Sequence, residues 1–313
     1  MQKERHHKSP AYKADRIVSL VNDSAEERQL LEFVEEKFPD RSRTDLKSWL
    51  RHGQFMVNGE VTTAFNAPVI PDAEVLVNIS RPFVVLKNSR LKIVYEDDDV
   101  IVVNKGYGLL SVGIPGAGKK KVTSAYDILR DYVKTKDPRN KLYVVHRLDR
   151  DTTGLMMFAK SEEAQETLRH NWNNYVLERN YVALLEGYLN DDEGYVKSHL
   201  SENSQFKVFS TNNPEAGKLA VTRYKVLKRG KGLSLVEFSL DTGRKNQIRV
   251  HASDLGHPIC GDHKYGAGKS RLGRLCLHAR TLRFAHPVTK RDMKFETPVP
   301  PGFLKAVNAT YGE

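Results

Sequence analysis

Residues 146–154 read HRLDRDTTG and separate two short apolar runs, 142–145 (LYVV) and 155–159 (LMMFA). Apolar runs of this length are typical of buried strands, so the sequence predicts two strands joined by this loop. The loop contains five ionisable side chains, those of His146, Arg147, Asp149, Arg150 and Asp151. A turn does not require so many, and polar loop residues on a rigid sheet often build active sites. The loop is therefore a candidate active site, and a solvated, charge-balanced turn is the alternative interpretation.

Length and composition predict a cytoplasmic protein of two domains. The chain has 313 residues, which is enough for two domains. No apolar stretch reaches the roughly 20 residues that span a bilayer, so no membrane association is expected. The amino terminus lacks the apolar core of a secretory signal. Cys260 and Cys276 are the only cysteines, which favours a reducing compartment.

The distribution of charge favours a polyanionic partner. The formal net charge is +11. Residues 1–89 contain 13 Lys/Arg and 13 Asp/Glu, so the excess lies in residues 90–313, with 37 against 26. A basic surface of this kind attracts nucleic acid, and simple solubility is the alternative explanation.

A small domain is predicted at residues 21–81, after a flexible tail at residues 1–20. Ser24 opens a capping-box pattern, and apolar residues at helical spacing then predict a first helix up to Pro39. A second helix is predicted over residues 42–52, ended by a glycine. One face of this helix carries a basic residue every four positions: Arg43, Lys47 and Arg51.

The next segment predicts a β-hairpin at residues 55–61, around an Asn-Gly turn, and a further strand at residues 75–79. Residues 42–50, His52-Gly53 and 57–59 resemble the alpha-L (S-four-like) RNA-binding domain. In that family the basic helix lies against RNA. The resemblance implies phosphate contacts from Arg43, Lys47 and Arg51.

Residues 82–90 predict a linker, and residues 91–313 predict the second domain. This part alternates short strands, turns and a few helices without a regular βαβ repeat, which indicates a mixed α+β fold. Three further motifs follow the HRLD loop. They are the strand ERNYVAL with Tyr181, the segment TGRKNQIRVH at residues 242–251, which should open a helix, and the strand RLCLHA at residues 274–279.

In this order the four motifs resemble those of the RluA-type RNA pseudouridine synthases, over about residues 91–287. The resemblance implies a mainly antiparallel sheet and makes Asp149 the catalytic carboxylate. It also implies that Tyr181 lines the site and that Arg249 pairs with Asp149. Further residues are implied in binding substrate or RNA, with the leucines of the last strand beneath the uracil ring: His146, Arg147, Leu148, Thr153, Gly154, Arg244, Gln247, Leu275 and Leu277.

Pseudouridine formation needs no redox step and no energy source, so no cofactor and no metal are expected. The segment GIPGAGKKK at residues 113–121 has the spacing of a phosphate loop, but Lys120 stands where that motif requires Ser or Thr. The histidines are scattered and neither cysteine forms a Cys-x-x-Cys pair, which argues against a structural metal.

RNA is the partner that these interpretations share. Relatives with the appended domain mostly modify large-subunit ribosomal RNA, which is therefore the favoured substrate, and transfer RNA is second. The alternatives are a non-catalytic RNA-binding or ribosome assembly factor and another RNA-directed enzyme, such as a hydrolase using Asp149. A monomer is the default expectation.

Overall fold

The structure is a computed structural model that describes residues 15–113, 122–268, 270 and 272–308. Most of the glycine- and lysine-rich segment, residues 114–121, lies outside the described residues, as do residues 1–14 of the predicted tail. The chain divides into two units. The smaller comprises residues up to Val85 together with Thr135–Asp137, and the larger comprises Leu86–Lys134 and Pro138–Glu313.

The smaller unit packs two helices against short antiparallel strands. Its described strands are β1 (Ile17–Val21), β2 (Arg28–Gln29), β3 (Phe55–Val57), β4 (Glu60–Thr62), β5 (Pro68–Val69) and β6 (Glu74–Asn78). Its described helices are α1 (Leu30–Lys37) and α2 (Arg43–Arg51). Four strands pair in the order β1-β6-β3-β4, and β2 pairs with β5. The core between helices and strands is apolar and fully buried: Leu30, Phe33, Leu46, Phe55 and Val75.

The second helix and the hairpin are confirmed. Ser42 precedes α2 and its side chain accepts a hydrogen bond from the Asp45 N–H, which is a typical N-cap. Asn58 and Gly59 both have positive φ angles, as the tight turn between β3 and β4 requires. Three basic residues lie on the solvent-exposed side of α2: Arg43, Lys47 and Arg51.

Two predictions in this unit are wrong. Residues 17–20 are not part of a tail, because Ile17–Val21 pairs with Glu74–Asn78 as a strand. The first helix begins at Leu30 and not at Ser24, because the intervening Arg28–Gln29 pairs with Pro68–Val69. Backbone pairing with distant strands overrides the local helix signal in both places.

The larger unit contains one large sheet with helices around it. Its described strands are β7 (Leu91–Glu96), β8 (Val100–Lys105), β9 (Tyr143–Val144), β10 (Thr153–Ala159), β11 (Val176–Glu186), β12 (Glu193–Glu202), β13 (Val208–Thr211), β14 (Lys218–Gly230), β15 (Leu233–Leu240), β16 (Leu277–Ala285) and β17 (Asp292–Glu296). Its described helices are α3 (Ala125–Lys136), α4 (Glu162–His170), α5 (Trp172–Tyr175), α6 (Gln247–Asp254) and α7 (Pro301–Asn308). None of the helices in the described residues is long and apolar enough to cross a membrane.

The sheet order is β13-β12-β14-β15-β11-β16-β10-β8-β7, with β17 paired to β16 and β9 paired to β10. Only β10 and β16 run parallel among the strand pairs of the described residues. The predicted α+β fold with a mainly antiparallel sheet is confirmed. The core beneath α6 and α7 joins these helices to β11 and β15 through buried apolar residues: Leu184, Val236, Ile248, Ala252 and Phe303.

The two strands predicted around the HRLD loop differ in outcome. The run 155–159 is the fully buried β10, as predicted, because β10 is bordered by β8 on one edge and by β16 and β9 on the other. The run 142–145 gives only the two-residue strand Tyr143–Val144, in which Val144 is 37% exposed. This short strand pairs only with the far end of β10, so it is not the buried strand that its composition predicted.

Candidate active site

Asp149 lies in a loop that is fixed on both sides. The Leu148 N–H donates to the Ser111 Oγ at 3.1 Å, and that hydroxyl donates to the Leu148 carbonyl at 2.7 Å. Because Leu148 is itself buried, the residue directly before Asp149 is held by both apolar and polar contacts. After Asp149 the chain turns, with the Thr152 N–H donating to the Asp149 carbonyl at 3.2 Å.

The buried side chain of Lys105 holds the same loop through hydrogen bonds to backbone carbonyls. Lys105, at the end of β8, donates to the carbonyl of Arg150 at 3.0 Å and to two carbonyls of the turn that follows it. Burial lowers the pKa of Lys105 to about 8, and the carboxylates of Asp151 and Asp149 oppose this shift. The lysine therefore joins the HRLD loop to the turn at residues 106–109.

The Asp149 carboxylate faces Arg249, which approaches from α6. The Arg249 guanidinium makes its closest contacts with Asp262, from Nε to Oδ2 at 2.6 Å and from Nη2 to Oδ1 at 2.7 Å. Its Nη1 lies 3.4 Å from the Asp149 Oδ2. Although burial disfavours the charge, the hydrogen bonds and charges of Asp262 and Asp149 raise the pKa of Arg249 above its ordinary value. The cation is thus shared by two carboxylates, with Asp262 as its principal partner.

Asn246 is the second group that holds Asp149. A carboxylate only accepts, so the amide nitrogen of Asn246 faces Asp149, 2.8 Å from Oδ2 and 3.2 Å from Oδ1. The amide oxygen then accepts from the Tyr265 hydroxyl at 2.9 Å. Asn246 immediately precedes α6 and has a φ of +53°, a conformation that Asn tolerates better than most residues.

Tyr181 completes the group from β11. It lies next to a register shift between β11 and β16, where Asn180 pairs with Thr281 and Tyr181 with Ala279. Such a bulge bends a strand and re-aims its side chains. Burial raises the pKa of Tyr181, and the nearby Asp149 carboxylate adds to the shift, although Arg179 opposes it. The phenol is therefore protonated at neutral pH.

These side chains surround a cavity of about 230 Å³. Eight of the residues predicted from the sequence line it: Arg147, Leu148, Asp149, Tyr181, Arg244, Gln247, Arg249 and Leu277. Residues that were not predicted complete the lining: Thr152, Leu240, Gly243, Lys245, Asn246 and Ile248. The cavity has apolar walls, one carboxylate and a basic entrance.

Gln247 shapes this cavity through internal hydrogen bonds. Its Oε1 accepts from the Thr242 hydroxyl and from the Arg244 N–H, both at 2.9 Å. Its Nε2 donates to the Val221 carbonyl at 3.0 Å and to the Thr222 hydroxyl at 2.9 Å. Both polar atoms of the Gln247 amide therefore bond within the protein, and Gln247 fixes the loop that carries Arg244 at the surface.

His146 does not line the cavity. Its Nε2 accepts from the Met157 N–H at 2.9 Å, and its ring packs against Trp172 with 5.1 Å between ring centroids. Burial lowers the pKa of His146 to about 3, and the charge of Arg179 contributes. A neutral His146 therefore anchors the start of the HRLD loop to β10 and lies outside the cavity lining.

Three more predicted residues lie outside the cavity lining. The Thr153 hydroxyl is engaged with His278 at 2.8 Å and with Arg274 at 2.9 Å. Gly154 has a φ of +111°, and a Cβ there would overlap the Ala279 backbone, so glycine is required where β10 meets β16. Leu275 is buried in the core, so of the two leucines predicted on the strand RLCLHA only Leu277 lines the cavity.

The contacts of Asp262 and Asn246 were missed at the sequence level. Asp262 lies 13 residues after Arg249 in a segment without regular periodicity, so only the tertiary fold brings it to the arginine. Asn246 lies in the predicted motif TGRKNQIRVH, but no role was predicted for it. The available signal was its position between Gly243 and Arg249 in the same short segment.

Among the described residues, one group of side chains has the composition of a metal site: Asp97, Asp99 and His286. Their atoms are engaged with one another and with the backbone. The His286 Nδ1 accepts from the N–H groups of Val288 and Thr289, and its Nε2 donates to Asp97 at 3.0 Å. Asp97 also accepts from the Tyr95 hydroxyl at 2.7 Å, so the group is accounted for as a structural network.

Comparison with known proteins agrees with this geometry. Residues 99–254 match the family model described as RNA pseudouridylate synthase. An uncharacterized RNA pseudouridine synthase of Bacillus subtilis, YlyB, is 34% identical over 292 residues, which cover 91% of this chain and 95% of that protein. The ribosomal large subunit pseudouridine synthase D of Vibrio parahaemolyticus is 35% identical over 312 residues, covering 94% of each chain.

A solved structure shows the same similarity at the level of the fold. Human RNA Pseudouridylate Synthase Domain Containing 4 superposes with a TM-score of 0.57 and 26% identity. The match covers 68% of this chain and 90% of the human chain.

Proposed function

The chain belongs to the RNA pseudouridine synthase family, and from this premise we propose that it isomerises specific uridines of large-subunit ribosomal RNA with Asp149 as its catalytic carboxylate. Enzymes of this family are isomerases that act on RNA. The Vibrio parahaemolyticus relative is named for the large ribosomal subunit and aligns over 94% of this chain, which supports the choice of RNA.

The observation that carries the catalytic assignment is the position of the Asp149 carboxylate. It lies at the wall of the cavity, held by the Asn246 amide at 2.8 Å and facing the Arg249 guanidinium at 3.4 Å. The other carboxylate near Arg249, that of Asp262, is buried behind the guanidinium and is absent from the cavity lining. Asp149 is therefore the carboxylate that a bound nucleotide would meet.

The reaction breaks the bond between N1 of uracil and C1′ of the ribose, turns the base, and joins C5 to C1′. The C5 proton is then released, and N1 takes up a proton, so no atom is gained or lost overall. A carboxylate beside C1′ can attack it as a nucleophile, stabilise positive charge on the ribose, or remove a ribose proton. Each of these roles uses the observed position of Asp149.

Tyr181 and Leu277 supply the environment for the detached base. Tyr181 presents an aromatic ring next to the carboxylate, and Leu277 adds an apolar surface from β16. Since the raised pKa of Tyr181 keeps the phenol protonated at neutral pH, we assign this residue to base stacking and hydrogen-bond donation. A base must leave the RNA stack to enter this cavity, at a cost on the order of a few kcal/mol.

Basic residues at the cavity entrance suit the RNA backbone. Arg147, Arg244 and Lys245 are exposed and line the entrance. In the smaller unit, the exposed stripe of α2 is a second candidate contact with phosphates, formed by Arg43, Lys47 and Arg51. Arg43 also pairs with Glu35 at 2.9 Å, so we assign the larger share of RNA binding on α2 to the other two residues.

The test is pseudouridine mapping by carbodiimide-dependent primer extension on total RNA from cells with and without the gene. A stop in large-subunit ribosomal RNA should disappear without the gene and return with the wild-type gene but not with Asp149→Asn. The matched control is Asp151→Asn, which changes a carboxylate of the same loop that pairs with Arg150 and is absent from the cavity lining. This control should restore the stop.

Other outcomes discriminate between the alternatives. Loss of a transfer-RNA signal would keep the reaction and move the substrate to transfer RNA. An unchanged map in all RNA would favour a role in RNA binding or ribosome assembly. Restoration by Asp149→Asn would overturn the assignment of Asp149.

A further inference from the structure

The hairpin formed by β12 and β13 presents an aromatic side chain to solvent beside the cavity. Phe206 lies in the five-residue loop between these strands and is 71% exposed. Single large apolar side chains at this exposure are common, so exposure alone indicates no function. The backbone of Phe206 has a φ of +57°, a conformation that bulky residues rarely adopt.

The backbone of the loop is internally fixed, so the Phe206 Cα is held in one place. The Asn203 side chain accepts from the N–H groups of Gln205 at 3.0 Å and Lys207 at 2.9 Å. The Asn203 carbonyl accepts from the Phe206 N–H at 2.9 Å. Lys264 then donates to the Phe206 carbonyl at 2.7 Å. A loop of this kind keeps an unfavourable φ without needing the side chain to be buried.

Contacts connect this loop to the catalytic group. Lys245 lines the cavity, and its ammonium lies 5.7 Å from the centroid of the Phe206 ring. Lys264, which holds the loop, lies 6.0 Å from the ring of Tyr265, the residue that holds Asn246. The exposed ring is thus about one side chain away from the cavity entrance.

The charges around the ring indicate what it binds. Three lysines lie in or next to the loop: Lys245 has its ammonium over the Phe206 ring, and Lys207 and Lys264 have theirs over the neighbouring Tyr265 ring. Lys245 also pairs with Glu202, so part of its charge is compensated within the protein. A purely apolar protein partner would make no use of the lysines in and next to the loop. An aromatic platform within a basic surface is the usual arrangement for binding unpaired nucleotides.

Resting on the proposed function, we propose that Phe206 stacks on an unpaired base next to the target uridine in the RNA. When the uridine leaves the stack and enters the cavity, the neighbouring base loses a stacking partner. The Phe206 ring replaces that partner, while the lysines contact the flanking phosphates. Phe206 is therefore a substrate-positioning residue outside the catalytic group.

The first test is binding of a fluorescein-labelled single-stranded oligouridylate, about a dozen nucleotides long, to the full-length chain by fluorescence anisotropy. Phe206→Ala and Phe206→Leu should raise the Kd about tenfold, since stacking on one base contributes roughly that factor to the affinity. Phe206→Trp should bind at least as tightly as the wild type. The matched control is Phe209→Ala, on β13 of the same hairpin, where Phe209 is 42% exposed and alternates with the buried Val208. Its Kd should not change.

Two further readouts separate stacking from a structural role. Phe206→Gly suits the positive φ, so it should raise Tm while weakening RNA binding; a lowered Tm would indicate that the ring supports the fold and would overturn the proposal. A 2-aminopurine placed beside a uridine in the oligonucleotide should lose fluorescence on binding the wild type and Phe206→Trp, but not Phe206→Ala.

The results also separate this proposal from the proposed function. Suppose that Phe206→Ala weakens oligonucleotide binding and Phe209→Ala does not, while the pseudouridine maps of cells with and without the gene are the same. This result would support stacking and reject the ribosomal substrate. Equal effects of Phe206→Ala and Phe209→Ala, or no effect of either, would overturn stacking whatever the map shows. A wild-type chain that does not bind the oligonucleotide would also overturn it.

Discussion

Replacing Asn246 with glycine should slow catalysis while leaving the fold in place. The φ of Asn246 is +53°, which glycine adopts freely, so Asn246→Gly removes the amide without straining the backbone. The change deletes the hydrogen bond from the amide nitrogen to the Asp149 Oδ2 at 2.8 Å. A hydrogen bond to a charged group contributes about 1.5–3 kcal/mol. If the reaction depends on this contact, kcat/KM should fall about 10- to 150-fold.

The same change also lowers the stability of the fold. The Tyr265 hydroxyl loses its acceptor, and leaving a buried hydroxyl without a partner costs about 1–3 kcal/mol. In a domain of this size about 1 kcal/mol shifts Tm by about 2–4 °C. The assay must therefore run well below the Tm of the variant, which is measured in parallel.

Because the C5 proton is released in the reaction, tritium release from RNA labelled at C5 of uridine measures turnover directly. Tyr265→Phe is the matched control, since it removes the hydroxyl bond to Asn246 but keeps the amide beside Asp149. We expect a much smaller loss of kcat/KM for this control. A rate for Asn246→Gly within about twofold of the wild type would refute the positioning role of the amide.

Three further predictions concern the framework of the site. Asp262→Asn should lower the free energy of unfolding by about 3 kcal/mol in urea titrations, because Arg249 loses the charge of its buried partner; a change below about 1 kcal/mol would contradict this. His146 has a pKa of about 3 in the folded chain against an ordinary value of 6.5, so the unfolded chain takes up the proton first and stability is lost as pH falls from about 6.5 towards 3. His146→Gln should flatten the fall in Tm across that range, and an unchanged slope would remove His146 as its cause. Gly154→Ala should prevent soluble expression, because the added Cβ overlaps the backbone of Ala279; a soluble, active variant would show that the strands can separate there.

The sequence predicted well where a local pattern and the final environment agree. The run 155–159 became a buried strand because both of its edges are paired, and the Asn58-Gly59 turn formed because its φ angles are intrinsic to those residues. The start predicted for the first helix, at Ser24, was wrong because Arg28–Gln29 pairs with a segment about 40 residues away, which no local pattern contains.

The site shows the same division. The resemblance of the motifs implied that Asp149, Tyr181 and Arg249 belong together, and the structure brings them around one cavity. The sequence did not reveal that His146 accepts a hydrogen bond from the Met157 N–H. A histidine near this carboxylate looks the same in the sequence whether it binds substrate or supports the backbone. Nor did it reveal the partner of Arg249, since partner choice depends on tertiary distance.

In the proposed reaction, this partner determines how much of the Arg249 charge acts on Asp149. Arg249 gives two short bonds to Asp262, at 2.6 and 2.7 Å, and only a 3.4 Å contact to Asp149. Asp262 therefore compensates most of the positive charge of Arg249. The principal hydrogen bond to Asp149 comes from the neutral amide of Asn246. A carboxylate held in place but not neutralised is suited to stabilise positive charge that develops on C1′ as the glycosidic bond breaks. If Arg249 instead formed the short bidentate pair with Asp149, its positive charge would compensate that of the carboxylate. Asp149 would then stabilise the proposed transition state less.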